Sequence, residues 1–530
     1  MDIECYDATL RDGMQGEGMS LSAAEKVRVA HKLDELGVAL IEAGFPASNP
    51  KERELFELLA AEHFADAQIV AFGMTRRRDM RAEADPGLIV LAESFVPVCT
   101  LVGKTWTLHL EKVVRVDRAE NLRMIEQSVA FLCGEGKRVI YDAEHFFDGW
   151  REDRAYALDC LRAAAGAGAD TVVLCDTNGS SLPSQVASAT LDVGAALDGA
   201  AMVGIHCHDD AGCGVANSLA AIDAGARQVQ GTINGCGERT GNANLISIIA
   251  NLELKLDRRC LPAGRLARLT QTAHFVDELL NFAPDPNQPY VGRNAFAHKG
   301  GLHVAGVRAD ARTFEHIDPA LVGNAREMLV SELAGRATMQ EKAAGAGVAI
   351  DVATAERAIQ RVKQLEHDGY QFEAADASLE LLLRKEAGVY EPLFRLESWR
   401  VVVEKRADGK VETEATIKIF SGGERYIRTA EGGGPVHALD AALRDALGDI
   451  HPHLREIDLV NFKVRIVDEA RGTAAVTRVL IDASDGIDVW GTIGVSENLI
   501  AASWEALVDS LEYGMQPGRA PTRPAAHEQL

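Results

Sequence analysis

His206 and His208 stand two apart at the end of a short apolar run, residues 202–206, that reads as a β-strand. In an extended segment such residues project to the same side, so their imidazoles can face one divalent ion. Two hydrogen-bonded structural histidines are the alternative for an isolated His-x-His. Here Asp12 and Asn242 follow other short apolar runs and can reach the same place. Two nitrogens and two hard oxygens suit an octahedral Mg²⁺, Mn²⁺ or Zn²⁺ that keeps positions open for water or substrate. Asp12, His206, His208 and Asn242 are therefore the candidate metal ligands, while Cys207 faces away and belongs with the core.

Arg11 lies beside Asp12 and can set a fixed positive fork where oxyanion charge develops. Its other possible role is a structural ion pair with Glu42 or Glu144. Glu144 ends the run Asp142-Ala143-Glu144-His145 and either moves a proton or orients Arg11. Thr177, in Asp176-Thr177-Asn178-Gly179, offers a hydroxyl to a carboxylate or caps the turn before a helix. Ala297-His298-Lys299-Gly300-Gly301-Leu302-His303 pairs histidines with a flexible Gly-Gly. That segment either supplies a base, His303, from above or is a surface loop.

These groups need a scaffold that brings the ends of separate strands together. Eight apolar runs are predicted as strands, over residues 3–8, 40–43, 68–72, 95–99, 138–142, 171–175, 202–206 and 228–232. Helical patterns separate most of them. The first helix is announced by a Ser22/Glu25 capping box followed by Val29, Leu33 and Leu36 at helical spacing. Runs such as Val172-Val173-Leu174 lack polar alternation, as strands buried on both faces do. Eight strand–helix units over roughly 250 residues give a TIM barrel, whose active site forms just after the strand C-termini. All the candidate barrel residues fall there. A doubly wound open sheet is the competing fold, but no Gly-x-Gly-x-x-Gly follows the first strand.

The pattern divides the chain into a barrel over residues 1–270, a helical linker and cover over 271–390, an α+β domain over 391–515 and a disordered tail over 516–530. Within the α+β domain the strand-strand-strand-helix order occurs twice. Strands are predicted over 399–405, 416–420 and 426–429 with helix 435–447, then near 460–466, 475–481 and 489–495 with a helix around 501–511. The Gly432-Gly433-Gly434 run lacks the Lys-Ser/Thr of a phosphate loop and reads as a turn.

The 79 acidic and 55 basic residues leave a net charge of −24, which argues against a nucleic-acid or anionic-membrane surface. Asp2, Glu4, Asp7, Arg11 and Asp12 fall within the first twelve positions, where a signal peptide would need an apolar core. The nine cysteines form no Cys-x-x-Cys pair and read as reduced thiols of a cytoplasmic protein.

The sequence resembles the alpha-isopropylmalate, homocitrate and citramalate synthases, and within that family the long bacterial citramalate group. The resemblance rests on Thr9–Gly18 (TLRDGMQGEG), Val102–His109 (VGKTWTLH), Tyr141–Gly149 (YDAEHFFDG), Gly231–Gly241 and His298–His303, and spans nearly the whole chain. It implies that Asp12, His206, His208 and Asn242 hold a divalent metal and that Arg11 stabilises an enolate or alkoxide oxygen. It also implies that Thr177 holds a keto-acid carboxylate, with Asp142 a further substrate-binding candidate. Glu144 and His303 would remove a proton from acetyl-CoA, whose enolate attacks pyruvate before thioester hydrolysis. A homodimer with an isoleucine site in the C-terminal domain is implied as well. Met14, Asp209, Cys236 and Thr240 depart from the usual pattern without removing a proposed ligand or base. The competing readings are 2-isopropylmalate or homocitrate synthesis, a hydroxy-acyl-CoA lyase on the same metal site, and a non-catalytic amino-acid sensor. CoA is anionic, so Arg11, Lys104, Arg239 and Lys299 are the candidate cations at the mouth.

Overall fold

The computed structural model describes residues 2–299, 301–328, 336–372, 375–467, 472 and 475–516. Eight parallel strands close into a barrel in sequence order: β1 (Glu4–Asp7), β2 (Leu40–Gly44), β3 (Gln68–Met74), β4 (Val98–Lys104), β5 (Arg138–Glu144), β6 (Thr171–Asp176), β7 (Met202–Cys207) and β8 (Gln228–Gly231). β1 pairs with β8 in the register Glu4↔Gln228 to Asp7↔Gly231, which completes the ring. The predicted fourth strand, 95–99, is displaced: β4 begins at Val98 and runs on to Lys104. Gly103 and Lys104 look like a turn in the sequence, but pairing with Ala143 and Glu144 of β5 draws them into the sheet. Propensity gives way there to the partner strand.

The barrel's interior is a small packed layer of Tyr6, Ala8, Leu40, Val70, Val98, Ile140, Val173 and Cys175. Tyr6 closes it from within by a 2.8 Å hydrogen bond between its hydroxyl and that of Thr100. Alternate residues of the same strands, such as Cys5, Ile41, Val172 and Cys207, turn outward and pack beneath the helices. The helix Ala23–Leu36 carries the predicted capping box, and Val29, Leu33 and Leu36 are fully buried. It ends on Gly37 at φ +91°, a left-handed stop that only glycine adopts at no cost. Asn49 and Pro50 start the helix Pro50–Leu59, and Pro183 starts Pro183–Leu197.

The chain forms two compact units, one of residues 1–296 with 315–326, the other of 297–314 with 327–530. The second holds the helices Val352–His367 and Asp376–Ala387 and two antiparallel three-stranded sheets. Strands Arg395–Lys405, Val411–Ser421 and Glu424–Gly432 lead into the helix Pro435–Leu447. Strands Asp458–Ile466, Thr477–Ser484 and Val489–Ser496 lead into Leu499–Met515. Ala415, Ile417 and Ile419 on one central strand, and Val479, Ile481 and Ala483 on the other, are buried at alternate positions in one core with those helices. The twice-repeated unit read from the sequence is therefore present, with longer strands than expected. The predicted tail lies outside the described residues from position 517. No helix among the described residues is long and apolar enough to cross a membrane.

Leu33→Ala should destabilise the barrel by about 2–5 kcal/mol, because it empties a fully enclosed site. Ser22→Ala, which removes only an exposed cap, should cost about 1 kcal/mol. Urea unfolding followed by circular dichroism checks the ranking.

Candidate metal centre and active site

The polar mouth sits directly above the apolar barrel layer. Asp12 follows β1, and its Oδ2 lies 3.3 Å from His206 Nε2 and 3.7 Å from His208 Nε2. One ligand atom from each of these three buried residues lies within 4.8 Å of the others, a spacing suited to one ion. His206 Nδ1 donates to Gln230 Oε1 at 2.9 Å, which leaves Nε2 as the nitrogen facing Asp12. This is the outer-shell arrangement that orients metal-binding imidazoles. His208 pairs with Asn242 through an isolated antiparallel bridge, so the loop after β8 is laid against the end of β7. Asn242 donates its amide to Cys236 O at 3.0 Å, and its Oδ1 is buried with no partner among the described residues. An orphaned buried carbonyl oxygen is costly unless something else meets it.

The charge balance points the same way. Arg11 donates from Nε to Glu42 Oε2 at 2.7 Å, lies 3.2 Å from Asp12 Oδ1, and stacks 4.0 Å over the Phe72 ring. Of the two ion pairs considered for Arg11, the one with Glu42 is formed. Burial disfavours charge on Asp12, but Arg11 and the two histidines outweigh it and hold the carboxyl far below its ordinary range. His206 is likewise opposed by burial, yet Asp12 raises its pKa. His208 is pushed down to about 4 by burial and by His206, so it is a neutral donor at physiological pH. Asp142 receives Gln230 Nε2 at 3.0 Å and is pushed up to about 7 by burial and by Glu42. Asp12, Glu42 and Asp142 thus face a single guanidinium. A divalent cation between Asp12, His206, His208 and Asn242 would neutralise the excess, and the residues fit it.

Glu144 takes Lys104 as its partner across the β4–β5 register rather than Arg11. Thr177 Oγ1 accepts the backbone N–H of His145 at 2.9 Å, linking the loops after β5 and β6 instead of capping its own helix. That bond leaves the Thr177 hydroxyl proton free to donate. Cys207 is buried on the helix side, as expected. His303 belongs to the second compact unit, where its exposed ring stacks on Phe314 at 4.1 Å.

Arg11, Asp12, Asp142, Glu144, Thr177, His206 and His208 line one cavity of about 270 Å³. Phe45, Met74, Val102 and Lys104 also border a second, of about 1070 Å³, that opens beside it. Its walls include Phe56 and Phe95, and Arg53, Arg76, Arg77 and Arg78 line it. The Arg76 guanidinium is spent on Glu120, Gln127 and the carbonyls of Arg77 and Arg78, so it fixes the loop that carries its neighbours. Arg53 and Arg77 are exposed, and their side chains have no partner among the described residues. By contrast Arg11, Lys104 and Arg239, three of the four cations proposed for the mouth, are each engaged by a carboxylate. The sequence reading missed Gln230 and the arginine run. An inward Gln228/Gln230 pair on a buried strand, and three consecutive arginines in an acidic chain, are the signals that mark them.

Comparison with known proteins matches this architecture. Residues 2–276 match the HMGL-like family, 290–369 the homocitrate synthase post-HMGL domain-like family, and 373–515 the LeuA allosteric (dimerisation) domain. Together they define an acetyl-CoA-condensing acyltransferase built on a TIM barrel. The (R)-citramalate synthases of Streptomyces coelicolor and Aquifex aeolicus are 49% and 48% identical, over 97% and 96% of this chain and 97% of each of theirs. A probable 2-isopropylmalate synthase of Methanopyrus kandleri, aligned over 96% of this chain and 97% of its own, is 33% identical. The chain belongs to the (R)-citramalate synthase family.

If Asp12, His206 and His208 hold the ion, His208→Ala should abolish Mn²⁺ binding in calorimetry. Gln230→Ala, which removes only the partner of His206, should weaken binding roughly 10- to 100-fold. An unchanged Mn²⁺ affinity in His208→Ala would refute the assignment.

Proposed function

We propose that the chain condenses acetyl-CoA with pyruvate and hydrolyses the resulting thioester, giving (R)-citramalate and CoA, in the service of isoleucine synthesis. The observation that carries this reading is the shared border between the two cavities. A small acidic pocket with a metal-type donor set adjoins a large one with free arginines, in a chain of this family.

In this reading Asp12, His206, His208 and Asn242 bind a Mg²⁺, Mn²⁺ or Zn²⁺ ion, which supplies Lewis-acid polarisation of the keto acid. Arg11 is pre-set by Glu42 and Phe72 to meet the oxygen on which negative charge develops, with no reorganisation at that moment. The free proton of Thr177 donates to the keto-acid carboxylate, and Asp142 lines the far side of the pocket. A base, Glu144 or His303, removes a proton from the acetyl methyl group; Glu144 is held by Lys104 on the wall of the smaller cavity. The carbanion carbon attacks C2 of pyruvate, whose carbonyl oxygen takes up a proton. Water then attacks the thioester carbonyl and CoA leaves as the thiol.

The larger cavity receives the CoA moiety, its apolar walls against the pantetheine and adenine and Arg53 and Arg77 toward the phosphates. We place the domain divisions near residues 270 and 390. The C-terminal domain pairs two copies into a homodimer and binds isoleucine as a feedback ligand.

Thiol release from acetyl-CoA with Mn²⁺ should be rapid with pyruvate and at least tenfold slower with 2-oxoisovalerate. The reverse order would overturn the substrate assignment. Arg77→Gln should raise KM for acetyl-CoA about tenfold, the value of one charge-assisted hydrogen bond, while KM for S-acetylpantetheine, which lacks the phosphates, stays unchanged.

A further inference from the structure

We infer that Arg239, with Asp210, is a positioning residue that fixes the distance between the carboxylate pocket and the metal ligands. This rests on the reading of Thr177 and of the Asp12–His206–His208 centre given above. Arg239 lies on the loop after β8, three residues before Asn242, at φ +58°. Its Nε and a terminal nitrogen donate to the two oxygens of Asp210 at 2.8 and 2.9 Å. The same terminal nitrogen donates to the backbone carbonyl of Thr177 at 2.8 Å. Asp210 is two residues beyond His208 on the loop after β7, and Thr177 stands on the loop after β6. One guanidinium thus joins three consecutive loops of the barrel mouth.

Each loop carries a group whose place matters. Thr177 is held from its other side by the His145 N–H at 2.9 Å, so its hydroxyl is located between the β5 and β8 loops. His208 and Asn242 are bridged to each other, and the N–H of Asp209 donates to the carbonyl of Gly241 at 3.0 Å. The only cross-link from this ligand-bearing pair to Thr177 that uses a side chain charge is the Arg239–Asp210 fork, among the described residues. The backbone is shaped to let the fork form. Gly179 has φ +56°, and a Cβ there would collide with the Asp210 carboxylate and with its backbone nitrogen. Gly241, at φ +93°, would strike the carbonyl of Gly235 if it carried a side chain.

An ordinary exposed ion pair is worth little. This one is bidentate and adds a third bond to a carbonyl. Lysine cannot reproduce the fork, since it offers a point charge in place of two aligned N–H groups. Arg239 is therefore engaged in holding the mouth together, and the charge-based expectation that it meets CoA gives way to Arg77.

The test is steady-state kinetics of full-length Arg239→Gln, Arg239→Lys and Asp210→Asn, with Mn²⁺ affinity measured separately by calorimetry. Arg239→Gln and Asp210→Asn should each raise KM for pyruvate about 10- to 30-fold and weaken Mn²⁺ binding, with KM for acetyl-CoA unchanged. The double variant should lose no more than either single one, because both remove the same fork. Arg239→Lys should restore some of the Mn²⁺ affinity and little of the pyruvate KM. A rise confined to KM for acetyl-CoA would assign Arg239 to CoA and overturn the inference, as would additive losses in the double variant. Wild-type turnover with 2-oxoisovalerate in place of pyruvate would instead count against the substrate reading and leave the fork to be judged by Mn²⁺ affinity alone. If an Arg239→Gln preparation unfolds early, Asp210→Asn, which keeps volume and shape, decides the matter.

Discussion

The mouth of the barrel is organised around a buried carboxylate, Asp12, that must stay ionised. Burying an unpaired carboxylate costs several kcal/mol, so such a group persists only among compensating charges and donors. Arg11 compensates on one side and is itself held by Glu42 and Phe72. On the other side stand two imidazoles, one of which is neutral at physiological pH. Glu42 and Asp142 add further acid to the same volume, where burial and then Glu42 raise the pKa of Asp142. A dication would offset that acid with the ligands already in place. In the proposed function the two requirements, a stable buried acid and an electrophilic site for a keto acid, are met by one arrangement.

The surrounding loops divide the remaining work. Those after β5 and β6 are tied through Thr177, and those after β6, β7 and β8 through Arg239 and Asp210, so hydrogen bonds link the polar groups around the rim. The loops after β2 and β3 instead border the large cavity, where Arg76 spends its own charge on backbone carbonyls and leaves Arg77 facing outward. A strongly acidic protein can therefore accept an anionic co-substrate through a local reversal of sign, since electrostatic attraction is decided by nearby unpaired charge more than by the net total.

Much of this is legible in the sequence because barrel geometry ties chemistry to strand ends. Once His206 and His208 are assigned to a strand, their common direction follows from the two-residue period, and Asp12 and Asn242 are recoverable from their places after β1 and β8. The capping box at Ser22 and the proline starts at Pro50 and Pro183 are local signals and are readable for the same reason. What escapes depends on contacts between distant segments. β4 takes its length from pairing with β5, so Gly103 and Lys104 mislead. The choice of Glu42 over Glu144 as the partner of Arg11 is set by which strand is adjacent, and β2 neighbours β1 where β5 does not. Gln230 shows its purpose only beside His206, and Arg76 differs from Arg77 only in what lies around each guanidinium.

The proposed function stands on a carbon–carbon bond formed between the acetyl methyl carbon and C2 of pyruvate. It is tested most directly by ¹³C NMR of the product made from pyruvate labelled at C2 and acetyl-CoA labelled at its methyl carbon, with Mn²⁺ replaced by Mg²⁺ to avoid paramagnetic broadening. A quaternary carbinol carbon split by a one-bond carbon–carbon coupling, appearing with one equivalent of free CoA, is the expected result. Thiol release without that coupled pair, or a coupled product that stays esterified to CoA, would contradict it.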